Sequence, residues 1–164
     1  MQYTASVHFT GDPAKAFDLA VSALMALGFR THASDPAKID MVGPGLNSTR
    51  QSALLGASRI IVNHSDKELV LAAELGGVAR LARLITIFPI VLTLGLAGIL
   101  ALVFSFLFPV ETWIFTVLLV AGGNLLLWLI LAPIMKRSVL ARTCRGLDSL
   151  LYNMAIAGSE PAAV

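Results

Sequence analysis

The sequence has few charged residues and almost no cysteine. Of its 164 residues, 13% are charged, against about 25% in soluble globular proteins. Cys144 is the single cysteine, so it has no partner for an internal disulfide, and no oxidising compartment is implied. The first residues, MQYTAS, have neither the basic start nor the apolar core of a signal peptide. We therefore expect the amino-terminal part of the chain to remain in the compartment where it is made.

Charge is absent altogether from two long stretches. Residues 84–108 and 113–135 contain no Asp, Glu, Lys or Arg. A helix that crosses a bilayer needs about 20 apolar residues, because the hydrocarbon core is about 30 Å thick. Only four residues, PVET, separate the two stretches. Because this connection is so short, the second helix must run antiparallel to the first. The sequence therefore predicts a transmembrane helical hairpin over residues 80–136.

The missing ionisable groups also exclude several functions. Proton relays and ion pathways generally use Asp, Glu, Lys, Arg or His within the membrane, and neither stretch has one. Residues 1–83 carry eight Lys and Arg against seven Asp and Glu, which is not the basic face of a nucleic-acid-binding protein. No phosphate-binding, dinucleotide-binding or serine-elbow pattern occurs. We expect a non-enzymatic protein without catalytic residues, cofactor, metal or nucleic-acid partner, and we interpret the three histidines (His8, His32 and His64) as surface residues.

Residues 1–79 have the periodicities of a small α+β domain. Alternation of apolar and polar residues from Tyr3 predicts a strand, and Asp12-Pro13 is a favourable start for a helix that ends before Gly28. Further strands are predicted over residues 29–34, 39–42, 59–64 and 68–75. The order is β-α-β-β-β-β, for which the simplest packing is one helix on one face of a mostly antiparallel sheet.

The connection over residues 43–56, GPGLNSTRQSALLG, is unusually long. Ser48 and Gln51 form a capping-box pattern for a short helix over residues 49–55. In one interpretation, Ser48, Thr49 and Arg50 bind an anion together with the free amides of the helix start. In the other, which we favour, the segment is a connector that buries its leucines under the sheet.

Small residues and one amide lie near the middle of the two spans. Gly95, Gly98 and Gly122 permit close approach of helix backbones, and Asn124, at the depth of Ala97, is placed to form a hydrogen bond across the hairpin. We favour a helix-packing role for the three glycines and Asn124 over a role in binding a ligand.

Residues 137–164 predict a juxtamembrane amphipathic helix with a frayed tail. Apolar residues recur at spacings of four and three along it, as in a packed helical seam: Leu140, Cys144, Leu147, Leu151 and Met154. Six basic residues flank the spans, and residues 109–112 between the spans carry none: Arg80, Arg83, Lys136, Arg137, Arg142 and Arg145. Basic residues mark the cytoplasmic side, so we expect both termini in the cytoplasm.

Two functional hypotheses follow. The first is a membrane-tethered interaction module, or an accessory subunit of a larger membrane assembly. Its partners would be the lipid bilayer and either other proteins or further copies of the chain, bound through the spans and the carboxy-terminal helix. The second is a sensor domain that binds an anionic metabolite or lipid headgroup at residues 43–56.

Overall fold

The computed structural model describes residues 1–44 and 52–159. It contains strands β1 (Gln2–His8), β2 (Arg30–Asp35), β3 (Lys38–Val42), β4 (Arg59–Ser65) and β5 (Glu68–Glu74), and helices α1 (Pro13–Ala26), α2 (Gly76–Leu107) and α3 (Val110–Ser159). A single turn of 3₁₀ helix, Ala53–Gly56, precedes β4. The predicted order of one strand, one helix and four strands is confirmed. The chain divides into a sheet unit, Met1–Ala79 with Ser138–Val164, and a hairpin unit, Arg80–Arg137.

The five strands form one antiparallel sheet in the order β1-β5-β4-β3-β2. The first two strands in the sequence therefore occupy opposite edges, and α1 connects them. Asp12 caps this helix, since its Oδ1 accepts a hydrogen bond of 2.9 Å from the amide of Ala14. Gly28 ends the connection with a φ of +89°, a conformation that residues with a Cβ rarely adopt.

The core lies on one face of the sheet. Alternate residues of the central strands are buried there, among them Ile60 of β4 and Leu71 of β5. Against them pack α1, through Phe17 and Leu24, and the last third of α3. The large apolar side chains of α3 that are buried are Leu147, Leu150, Leu151 and Met154. Two helical segments therefore cover one face of the sheet.

Two predicted boundaries differ from the structure. The carboxy-terminal helix is not a separate element, because α3 continues without a break from Val110 to Ser159. The prediction of a helix over residues 49–55 is also wrong for residues 52–55, the part of this range that the structure describes. Ser52 has an extended backbone (φ −133°, ψ 143°) and caps the short turn Ala53–Gly56, so no helix passes through this position.

The hairpin unit consists of parts of two helices that are long and apolar enough to cross a membrane. Only 6% of the most apolar stretch of α2, and 0% of that of α3, is buried within the chain. Pro89 and Pro133 lie inside the helices, which continue through both residues.

Candidate functional site

The residues predicted to bind an anion, Ser48, Thr49 and Arg50, lie outside the described residues. What the structure places are the two ends of their connection. At the first end, the amide of Gly43 donates a hydrogen bond of 2.9 Å to the carbonyl of Ser58. At the second end, the hydroxyl of Ser52 accepts one of 3.3 Å from the amide of Leu54. The anion site therefore stays a prediction.

Close packing holds the second end of this connection. A Cβ built on Gly56 would lie 2.9 Å from Cγ2 of Val78, on the first turn of α2, and would also collide with Thr143 of α3. Thr143 is 2% exposed. Only a residue without a side chain fits at Gly56, so the 3₁₀ turn lies directly against α2 and α3 where they belong to the sheet unit.

Polar side chains meet inside the hairpin unit. Nδ2 of Asn124 donates a hydrogen bond of 2.5 Å to Oγ1 of Thr93. The hydroxyl of Thr93 donates in turn to the carbonyl of Pro89, over 2.7 Å. Thr93 is 2% exposed, and the three groups form a chain from α3 into α2. The partner of Asn124 lies one turn of α2 away from Ala97, the residue predicted to lie at its depth.

Apolar side chains surround the Asn124–Thr93 pair and leave a narrow groove between the helices. Its remaining lining residues are Leu96, Ala97, Leu100, Val117, Val120 and Ala121. A hydrogen bond from a half-buried amide to a buried hydroxyl lowers the cost of placing these polar groups in an apolar layer. The arrangement can therefore fix the register of the two helices, and it offers no acid, base or nucleophile for catalysis.

The three glycines predicted to pack in the hairpin do not lie at its seam. A Cβ built on Gly95, Gly98 or Gly122 meets no heavy atom within 4 Å in the described part of the chain. With about 100° per residue, Gly95 and Gly98 point away from the helix face that carries Thr93. These three glycines therefore do not mark a close approach between α2 and α3.

An ion pair that the sequence analysis did not identify lies on the other face of the sheet. Asp40 is 3% exposed and alternates with the core residues Ile39 and Met41. Its carboxylate accepts two hydrogen bonds from Arg59, of 2.8 Å from Nε and 2.5 Å from Nη2. These bonds lower the pKa of Asp40. The signal in the sequence was a carboxylate in the middle of an apolar strand.

A second polar contact fastens α3 to the sheet. The hydroxyl of Tyr3, on edge strand β1, donates a hydrogen bond to Oδ1 of Asp148. This bond and, to a smaller degree, the burial of the phenol raise the pKa of Tyr3 to about 12. Cys144 lies one turn earlier on α3, half-buried and unpaired, and burial raises the pKa of its thiol. A thiol kept protonated in this way is a weak nucleophile.

The histidines do not assemble a metal site. His8 and His32 are exposed, whereas His64 packs edge-on against Phe9, with ring centroids 5.6 Å apart. Within residues 1–44 and 52–159, no three His, Cys, Asp or Glu side chains are grouped closely enough to hold a metal ion.

No protein-family model, no curated protein and no solved structure matches the chain.

Proposed function

We propose that the chain is an integral membrane protein whose α2–α3 hairpin crosses the bilayer and whose sheet unit is a cytoplasmic interaction module. The observation that carries this proposal is the exposure of the hairpin. Many large apolar side chains along both helices are more than half exposed, among them Leu94 (65%), Phe106 (82%) and Leu129 (74%). Apolar surface of this extent needs an apolar environment, since exposed patches in soluble monomers are far smaller.

Long apolar helices also occur in the cores of soluble proteins and in signal sequences, and neither class fits α2 and α3. A core helix of a soluble protein would have most of its apolar stretch buried, and here the buried shares are 6% and 0%. A signal sequence would lie near the amino terminus, whereas α2 begins at Gly76. Lipid is the environment that suits two such helices joined by a tight turn.

The distribution of charge supports an orientation with both termini in the cytoplasm. Arg80 and Arg83 precede the first apolar stretch, and Lys136 and Arg137 follow the second, while residues 109–112 carry no Lys or Arg. Retention of basic residues on the cytoplasmic side gives this topology.

The same geometry supports an accessory role rather than catalysis or transport. The polar groups that meet in the hairpin, Asn124 and Thr93, are engaged with each other, and the spans contain no ionisable residue. The apolar seam of the carboxy-terminal helix is buried within the sheet unit, since Leu147 and Met154 are 0% exposed. It is therefore not available to a partner. Partners, or further copies of the chain, would therefore bind the outward faces of the spans, where Gly95 and Gly98 leave open space.

Extraction and labelling in intact cells test insertion and topology. The chain should stay in the membrane fraction after alkaline carbonate washing. In a Cys144→Ser background, an impermeant thiol reagent should label Glu111→Cys and leave Arg30→Cys unlabelled until the membrane is opened. Release by carbonate would disprove insertion, and labelling of Arg30→Cys in intact cells would disprove the orientation.

A pull-down in mild detergent tests the accessory role. We expect a partner of fixed stoichiometry, identified by mass spectrometry, or a defined homo-oligomer. Gly98→Leu should weaken either association, because it fills open space on the outward face of α2. Asp35→Asn, an exposed change in the sheet unit, provides the control. A monomeric chain that captures nothing would contradict the proposed role.

A further inference from the structure

The open end of the hairpin unit carries a cluster of positive charge. Four basic residues lie there, and we refer to them as the basic collar: Arg80, Arg83, Lys136 and Arg137. All four are exposed. None of them forms an ion pair with a carboxylate among the residues that the structure describes. The positive charge of the collar is therefore available to a ligand outside the protein.

The collar residues lie at matched distances from the closed end. The hydrogen bond between Thr93 and Asn124 joins positions that are each 14 residues from that end, counted as 107 − 93 on α2 and 124 − 110 on α3. Arg80 and Arg137 are each 27 residues from it, as 107 − 80 and 137 − 110. The two helices thus bring their basic residues to one level.

That level coincides with the headgroup layer of a bilayer. Arg83, the collar residue nearest to the closed end, is 24 residues from Leu107. At about 1.5 Å per residue, the collar lies about 36–40 Å from the closed end of the hairpin. A bilayer measures about 30 Å across its hydrocarbon core and about 40–45 Å with its headgroups. With the closed end at one interface, the four charges lie among the headgroups of the other.

Three of the four collar residues also point outward. With about 100° per residue, Arg80 is about 140° around α2 from Thr93, and Lys136 and Arg137 are about 120° and 140° around α3 from Asn124. Arg83 lies to the side, about 80° around α2 from Thr93. The charges of Arg80, Lys136 and Arg137 are therefore directed toward the surrounding lipid and not into the groove between the helices.

We propose that the basic collar binds the headgroups of anionic phospholipids. Four to eight Lys and Arg beside a membrane span are the typical footprint of such recognition. Arg80, Arg83 and Arg137 present guanidinium groups that donate paired hydrogen bonds to phosphate oxygens, and Lys136 adds a compact charge. This inference rests on the proposed membrane insertion and adds a lipid class to it.

The test uses the full chain reconstituted into vesicles of phosphatidylcholine alone, or of phosphatidylcholine with phosphatidylglycerol. Flotation with vesicles after carbonate treatment reports insertion. Spin-labelled phosphatidylglycerol and spin-labelled phosphatidylcholine then report which lipid the protein immobilises. We expect insertion in both vesicles, and preferential immobilisation of phosphatidylglycerol that weakens with salt, since the Debye length falls from about 10 Å at 0.1 M to about 3 Å at 1 M.

Matched variants assign the preference to the collar. Arg80→Gln with Arg83→Gln, or Lys136→Gln with Arg137→Gln, should lower the preference for phosphatidylglycerol severalfold. The limit is about fivefold per charge, which corresponds to about 1 kcal/mol for each basic residue near an anionic surface. Arg30→Gln with Lys67→Gln removes the same charge from exposed positions of the sheet unit and should leave the preference intact.

The outcomes distinguish lipid binding by the basic collar from the membrane insertion on which it rests. Insertion without a preference for phosphatidylglycerol would disprove lipid binding by the basic collar and leave the proposed membrane insertion standing. An equal loss of the preference in the control variant would do the same. Failure to float with either vesicle would overturn both. A preference that falls only in the collar variants would support both.

Discussion

Tyr3 and Asp148, 145 positions apart in the sequence, are joined by a hydrogen bond between the phenol and the carboxylate. Tyr3 belongs to edge strand β1, and Asp148 belongs to the part of α3 that packs on the sheet. The bond therefore fastens the two ends of the chain to each other. The core supports the same junction, since Leu147 and Leu151, which flank Asp148 on α3, are 0% and 4% exposed.

The first prediction concerns the alkaline stability of this junction. Folding raises the pKa of Tyr3 from 10.0 to about 12, so the bond stabilises the folded chain fully below pH 10 and is lost as pH rises through about 12. Tyr3→Phe should lower the free energy of unfolding at neutral pH by about 1 kcal/mol or less, because the bond is accessible to solvent. Thermal melts in detergent between neutral pH and pH 12 measure the difference.

A spectroscopic control accompanies the Tyr3 prediction. The phenolate absorbance of the parent chain minus that of Tyr3→Phe isolates the titration of Tyr3 from that of Tyr152. The Tyr3 transition should move toward 10.0, its ordinary value, in Asp148→Asn, which removes the charge that the phenol faces. An unchanged transition in that variant would show that Asp148 does not cause the shift.

The second prediction concerns acid stability. Arg59 lowers the pKa of Asp40 in the folded state, so the unfolded chain takes up the proton first as pH falls. The stabilisation is present above the ordinary value of 3.8 and is lost as pH falls through the lower, folded value. Asp40→Asn should cost about 1 kcal/mol at neutral pH, since a charge-assisted pair is lost whose Arg59 side chain is 38% exposed and therefore screened by solvent. The difference from the parent chain should vanish in acid.

An exposed carboxylate provides the matched control for Asp40. Asp35→Asn changes the same functional group on the adjacent edge strand β2, where every residue is exposed, and should alter the melting temperature little at any pH. If Asp40→Asn melted like Asp35→Asn at neutral pH, the pair with Arg59 would not stabilise the fold.

The sequence predicted local features well and long-range contacts poorly. Period-two alternation and the Asp12-Pro13 start identified the strands and α1, because these signals come from neighbours in the chain. The depth of Asn124 was matched to Ala97, one turn of α2 from its partner Thr93, because a depth counted from the turn does not tell which side chain offers an acceptor. The roles of Gly95 and Gly98 were inferred from small size alone, and size does not tell which face of a helix meets its neighbour.

The third prediction contrasts two substitutions in the hairpin. Asn124→Leu removes the donor to Thr93 and should destabilise the hairpin by about 0.6–1.7 kcal/mol, the range for hydrogen bonds between membrane helices. Gly98→Leu should leave the stability of the monomer unchanged, since a Cβ there meets open space. Unfolding in mixed micelles, followed through Trp113 and Trp128, measures both. A larger loss for Gly98→Leu would place that glycine at the seam between the helices.

The last prediction concerns what the sheet unit needs in order to fold. Val78 and Thr143 both lie against Gly56, so the points where the chain leaves this unit and returns to it are close together. About ten Gly and Ser residues, which span about 17 Å on average, should therefore replace residues 80–137 and give a soluble, folded protein. Residues 1–79 alone should aggregate, because they lack Leu147, Leu151 and Met154 of the core. Gel filtration and amide dispersion in NMR spectra compare the two proteins. Folding of residues 1–79 without the carboxy-terminal helix would show that this helix is dispensable for the core.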